Sequence, residues 1–214
     1  MSPIPSEAPV RPGKPIRRGR YHHGDLRSAL VDTAIELIAE RGVRGFSLAE
    51  ASRRLGVTVA APYRHFADRD DLLAAVAVRA FGLFAAVLEA TLTDDATPAE
   101  QLAATAASYV RFAAQHRALF DVLFGAGIDK SRYPDLRSTA EPVMEMFRAP
   151  VRILCEGAPE AADDLVTAVS ATAHGHAALL LDGTFGAGDS SVDTAMSHAA
   201  KATLAIVAGR SALR

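Results

Sequence analysis

The sequence has a single cysteine, Cys155, and no tryptophan. One thiol excludes an internal disulfide framework and any multi-cysteine metal site. Long apolar runs are missing as well. The longest uncharged stretch, Leu165–Leu181, carries Thr167, Ser170, Thr172, His174, Gly175 and His176. It is too short and too polar to span a bilayer. Residues 1–20 hold Pro, Arg and Gly but no apolar block, so nothing there reads as a secretion signal. A cytoplasmic protein without a membrane partner is the expectation. Aromatic residues are scarce at 6%, and the net charge is only −2. Of the 214 residues, 50% are hydrophobic and 22% charged. That is enough for a packed core.

The small net charge hides an asymmetry. Residues 1–69 hold 12 Lys+Arg against 7 Asp+Glu, and the remainder holds 11 against 18. A basic first third beside an acidic remainder suggests a polyanionic partner for the first third alone. Met1–Gly19 is rich in proline, lacks apolar periodicity and reads as a flexible tail. Its distal part is basic, with Arg11, Lys14, Arg17, Arg18 and Arg20.

From Asp25 onward the pattern is helical throughout, and no segment alternates long enough to be a strand. Leu26, Leu30, Ala34, Leu37 and Ile38 mark a first helix over about 25–41, stopped at Gly42. Ser47-Leu48-Ala49-Glu50 fits a capping box for a short second helix that ends near Gly56. Thr58 can cap a third over about 59–65, in which Pro62 falls within the first turn. Asp68 caps a long fourth helix through Leu88. Thr97-Pro98-Ala99-Glu100 opens a fifth, to about Gln115, and His116–Phe124 is a short sixth. A seventh spans 134–156, which Pro142 and Pro150 are expected to kink or break. The eighth and ninth cover about 160–182 and 191–209, the last with a looser cap at Ser190. The fold class is therefore all-α with about nine helices.

The second and third helices, with Gly56 between them, match a helix-turn-helix. Small and apolar side chains at the start of the second motif helix let its backbone approach base edges and touch thymine methyls. Tyr63 and His65 can donate to phosphates. An αα-hairpin alone is only moderately specific, but the surrounding residues narrow it. The runs Tyr21-His22-His23-Gly24-Asp25-Leu26-Arg27, Arg41-Gly42, Phe46-Ser47-Leu48, Leu55-Gly56-Val57, Ala60-Ala61-Pro62-Tyr63-Arg64-His65-Phe66 and Asp71-Leu72-Leu73 resemble the DNA-binding domain of the tetracycline-repressor (TetR) family. The likeness is to the branch that opens Tyr-His-His-Gly-Asp-Leu-Arg. Further on, His174-Gly175-His176 and the residues to Gly183 resemble an effector domain named for a Trp-His-Gly triplet, although Ala173 stands where the Trp would be.

The resemblance implies a flexible basic arm over 1–20, a DNA-binding domain over 21–67, and an effector-binding and dimerisation domain over 68–214. It implies a homodimer that packs through the eighth and ninth helices. It implies a repressor that leaves its double-stranded operator when a small molecule binds; the few charges inside the fifth to eighth helices point to a mainly apolar one. Carried over by position, Ser47, Thr58, Tyr63, His65 and Arg69 grip the phosphate backbone. Val59, Ala60 and Ala61 face bases, and Arg64 reaches either. Arg17, Arg18 and Arg20 belong to an arm suited to a minor groove.

For the effector, Phe84, Leu88, Tyr109, Phe112, Phe120, Phe124, Met144, Phe147 and His174 are the candidates, with Phe81 beside them. Tyr109 and His174 stand out, because each brings a polar tip to apolar surroundings. Catalysis is not expected. Gly188-Asp189-Ser190 superficially resembles a hydrolase nucleophile, but no strand precedes it. Metal ligation and a cofactor are not expected either, since His174 and His176 are two apart and face different sides of a helix. The rival reading is a helical small-molecule binding or adaptor protein without DNA function. It has no use for a basic arm and an exposed Tyr-Arg-His-Phe face.

Overall fold

The computed structural model describes residues 26–213, and every regular element among them is helical. The described residues form eight α-helices: α1 (Leu26–Gly45), α2 (Leu48–Leu55), α3 (Arg69–Glu89), α4 (Pro98–Gln115), α5 (Arg117–Gly125), α6 (Pro134–Leu154), α7 (Pro159–Leu181) and α8 (Asp189–Ala208). The expected ninth is the segment 59–65, which forms only a three-residue 3-10 turn, Pro62–Arg64. Proline explains the difference. Pro62 has no N–H to give the carbonyl of Thr58, so an α-helical bond cannot close there. The Ala61 N–H bonds that carbonyl instead, at 3.0 Å, and the tighter pattern continues from Arg64 to Ala61 and from His65 to Pro62.

Local signals set most helix ends. Ser47 Oγ accepts the Glu50 N–H at 3.2 Å, and Gly56 closes α2 in a left-handed conformation (φ 69°) that other residues reach only with strain. The expected reciprocal box is half-formed, because the Glu50 carboxylate turns to Arg41 and Arg53 instead. The box at α4 is complete: Thr97 Oγ1 accepts the Glu100 N–H, and Glu100 accepts the Thr97 N–H at 2.8 Å. The stop expected at Gly42 is a kink (φ 71°) rather than an end, and helix continues to Gly45. Pro142 and Pro150 do not break α6. The helix is held along its length by α3, α4 and α7, so tertiary packing outweighs the two missing backbone bonds. At α8, Gly188 rather than Ser190 holds the cap position, and Ser191 is buried with its Oγ bonded to the Gly188 carbonyl.

One buried core runs through the whole array. It begins at Leu30, Leu37 and Phe46, follows α3 from Leu72 to Leu88, and reaches Leu165, Ala173 and Val207. Helix α3 packs on α1, α5 and α6, while α4 lies against α7 and α8. Helix α3 is long and apolar enough to cross a membrane by length and composition. Half of that window is buried inside the protein, as a core helix requires.

Candidate nucleic-acid surface and internal cavity

The surface is built by burying one side of the 3-10 turn. Pro62 and Phe66 point inward and are buried. Arg27 lies over the Phe66 ring at 5.2 Å. With those two anchored, Tyr63 is turned out at 56% exposure and Val59 at 53%. Thr58, Ala60, Arg64 and His65 are exposed beside them, and Ala61 is half-buried. No side-chain hydrogen bond or ion pair holds Thr58, Tyr63, Arg64 or His65 among the described residues. Burying apolar Pro62 and Phe66 while leaving polar neighbours unspent is what a reading surface needs, since its donors must be free for phosphates and base edges.

Neighbouring charges are committed elsewhere. Arg54 pairs with Glu40 through both guanidinium nitrogens at 2.7 Å. That bond holds the Glu40 carboxyl below its usual range. Arg79 pairs with Asp32, tying α3 to α1. Arg69, expected on the DNA backbone, is folded inward. Its Nη2 donates to the Val43 carbonyl at 2.5 Å and its Nε to the Phe46 carbonyl at 3.3 Å. It therefore braces the α1–α2 junction behind the surface. Ser47 is exposed at the start of α2, with its Oγ engaged in the cap. Arg17, Arg18 and Arg20 lie outside the described residues.

The second feature is a cavity of about 680 Å³ between α3, α4, α5, α6 and α7. That is a size suited to a drug-sized molecule. Phe84, Tyr109, Phe124, Met144, Phe147 and His174 line it together with Phe81. Leu88, Phe112 and Phe120 do not. Leu88 is fully buried, Phe112 stacks on Phe84 at 4.3 Å, and Phe120 stacks on His174 at 5.5 Å. They form the backing that fixes the lining rings. Tyr109 Oη and His174 Nδ1 are 3.0 Å apart. Burial pushes the Tyr109 hydroxyl well above the usual tyrosine range, so it stays protonated. Ser170 Oγ is buried on the α7 wall without a hydrogen-bond partner.

A search for aromatic side chains misses most of the α6 and α7 lining, including Arg137, Glu141, Thr167 and Ser170. The signal was there as spacing. Val166, Thr167, Ser170, Ala171 and His174 share one helical face.

Two family models match. Residues 30–76 match the model for bacterial regulatory proteins of the tetR family, and residues 102–203 match a tetracyclin repressor-like C-terminal domain. Among solved structures, a protein of unknown function from Rhodococcus sp. RHA1 is 31% identical, with a TM-score of 0.69, over 87% of this chain and 97% of its own. A TetR-like transcriptional regulator from Rhodococcus sp. RHA1 is 19% identical, with a TM-score of 0.59, over 82% of this chain and 94% of its own. The TetR family regulator PfmR from Thermus thermophilus is 18% identical with the same score, over 83% and 96%. At those last two identities the likeness is one of fold. No curated protein matches the chain. The helix-turn-helix surface of residues 47–66, the half-open cavity and both matched domains lead to one assignment: this chain belongs to the TetR family and is a ligand-responsive, DNA-binding transcriptional regulator.

Proposed function

We propose that the chain is a homodimeric repressor whose two 3-10 turns enter successive major grooves of an operator and leave when a small, mainly apolar molecule fills the cavity. Residues 21–67 act as the reading domain and 68–214 as the effector and dimerisation domain. The carrying observation is the outward array of Thr58, Val59, Ala60, Tyr63, Arg64 and His65 on a turn whose Pro62 and Phe66 are buried. Val59, Ala60 and Ala61 face base edges, and Thr58, Tyr63 and His65 hold phosphates. Half-sites then lie one helical turn apart, about 35 Å. Ser47 and the start of α2 meet the backbone, and Arg17, Arg18 and Arg20 reach the minor groove. Such a repressor works on chromosomal DNA in the cytoplasm and needs no catalytic group.

Helices α7 and α8 supply the two-fold contact. They pack on each other and expose Leu179 (45%) and Leu204 (40%) among small residues such as Ala205 and Ala208. The His174-Gly175-His176 stretch supports reading the effector half as the Trp-His-Gly type. Ala173, fully buried, takes the place of the Trp in the core.

Release travels through a bonded link. Tyr133, one residue before α6, donates its hydroxyl to Asp71 Oδ1 at 3.1 Å. Asp71 Oδ2 accepts the Ala67 N–H at 2.9 Å, immediately after the reading turn. A ligand that displaces α6 moves Tyr133 and with it the base of that turn. The ligand shifts the equilibrium only by its differential affinity for the two states, about 1–3 kcal/mol of coupling. A gel shift of the chain on the DNA upstream of its own gene, titrated with salt, tests the reading. Binding that weakens steeply with salt is expected. No binding at low salt overturns it.

A further inference from the structure

We infer that the cavity takes an amphipathic carboxylic acid, with its carboxylate on Arg137, its apolar body among the rings and a hydroxyl or carbonyl oxygen at the Tyr109–His174 pair; this rests on reading that cavity as the effector site. The rings of Phe81, Phe84, Phe124 and Phe147 provide the apolar bed.

The polar groups then set the chemistry. A tyrosine hydroxyl and an imidazole with one N–H own two donors between them. Their mutual bond uses one of them, whichever tautomer the histidine adopts. One donor and one acceptor therefore remain at that end of the cavity. Ser170 Oγ adds a further buried hydroxyl without a partner. A pure hydrocarbon leaves all of these unmet, whereas an oxygen-bearing group satisfies them.

Arg137 and Glu141, one helical turn apart on α6, are the charged residues of the lining among the described residues. Their states differ. Glu141 is held by Arg148 Nη1 at 2.6 Å. Arg137 has no carboxylate within ion-pair distance among the described residues. An incoming amine has to compete with Arg148 for Glu141, while an incoming carboxylate meets an uncommitted guanidinium. That fork geometry favours bidentate carboxylate recognition.

The test measures binding of defined probes to the full chain by isothermal titration: decanoate and biphenyl-4-carboxylate, their methyl esters, decylamine, and 4′-hydroxybiphenyl-4-carboxylate. The acids are expected to bind about tenfold tighter than their esters. Arg137→Gln is expected to erase that gap while leaving ester affinity unchanged, and Arg137→Lys to restore part of it. Arg137 is exposed, so both variants should fold. The hydroxylated acid is expected to bind tighter than its parent, an advantage lost in Tyr109→Phe. Esters or decylamine binding as well as the acids, an acid preference that survives Arg137→Gln, or no binding of any probe overturns the inference. A gel shift without probe is run on the same samples. Loss of DNA binding there with acid selectivity intact defeats the regulator reading alone; the converse defeats the ligand assignment alone.

Discussion

The two ends of this molecule are stabilised by different physics. Around the reading turn, the buried residues are mostly aliphatic, such as Leu30, Leu37 and Leu48, and the polar side chains work in pairs at the surface: Arg54 with Glu40, Arg53 with Glu50, Arg79 with Asp32. Exposed pairs of this kind contribute little stability each. Around the cavity, support comes from rings. Phe84 stacks on Phe112 and meets Tyr109 edge-on at 4.9 Å, while Phe120 and Phe124 enclose His174. Such a cluster is worth far more through burial and ring geometry. The difference teaches where each function can sit. A surface that must release DNA keeps its polar groups free and its turn short. A cavity that must hold its shape in the absence of ligand needs dense backing.

Breaking the ring cluster gives the largest effect. Phe84→Ala is expected to cost about 3–5 kcal/mol of stability, measured by denaturant unfolding. A cost below about 1 kcal/mol means that the two ends are not as unlike as described. Next comes the reading turn. Tyr63→Ala is expected to leave stability unchanged, because the ring is exposed. It should weaken DNA binding by about 1.5 kcal/mol, roughly tenfold, on every sequence tested. Loss confined to particular bases contradicts a phosphate role. Enlarging Val59 to Arg is the matched experiment, and a changed operator preference is its expected outcome.

The bond that joins the two ends should show up only when both are occupied. Tyr133→Phe removes the hydroxyl held by Asp71. DNA affinity and effector affinity are each expected to stay near their original values, while the effect of one ligand on the other falls by about 1 kcal/mol. Unchanged coupling places the link elsewhere.

The smallest effect is electrostatic. Burial raises the Tyr109 pKa above its ordinary value of 10.0, so the folded state favours the neutral phenol. The unfolded chain releases that proton first as pH rises. The stability this group contributes is full below pH 10 and declines above it. Tyr109→Phe should flatten that alkaline decline in a pH series of thermal unfolding. An identical decline in both proteins means that the hydroxyl is not buried.

Helix existence and most helix ends were legible in the residues because their causes are local. Thr97 and Glu100 cap each other from three positions apart, Gly56 alone tolerates its left-handed turn, and Asp68 bonds the Asp71 N–H. The exposed Tyr63 and His65 were legible for the same reason, since the buried Pro62 and Phe66 that aim them are neighbours in the chain. Pro62 was legible as a first-turn residue, but its consequence was not. Whether its missing donor leaves an α-turn or a 3-10 turn depends on which carbonyl the next amide can reach.

The sequence by itself thus determined an all-helical chain with a charged, proline-anchored turn near one end. Tertiary structure decided the rest. Arg69 turns inward because carbonyls 23 and 26 residues away come within its reach. Tyr109 meets His174 across 65 residues, and Tyr133 meets Asp71 across 62. The cavity exists because five successive helices, α3 to α7, pack without filling the space between them, and no local pattern encodes an unfilled volume.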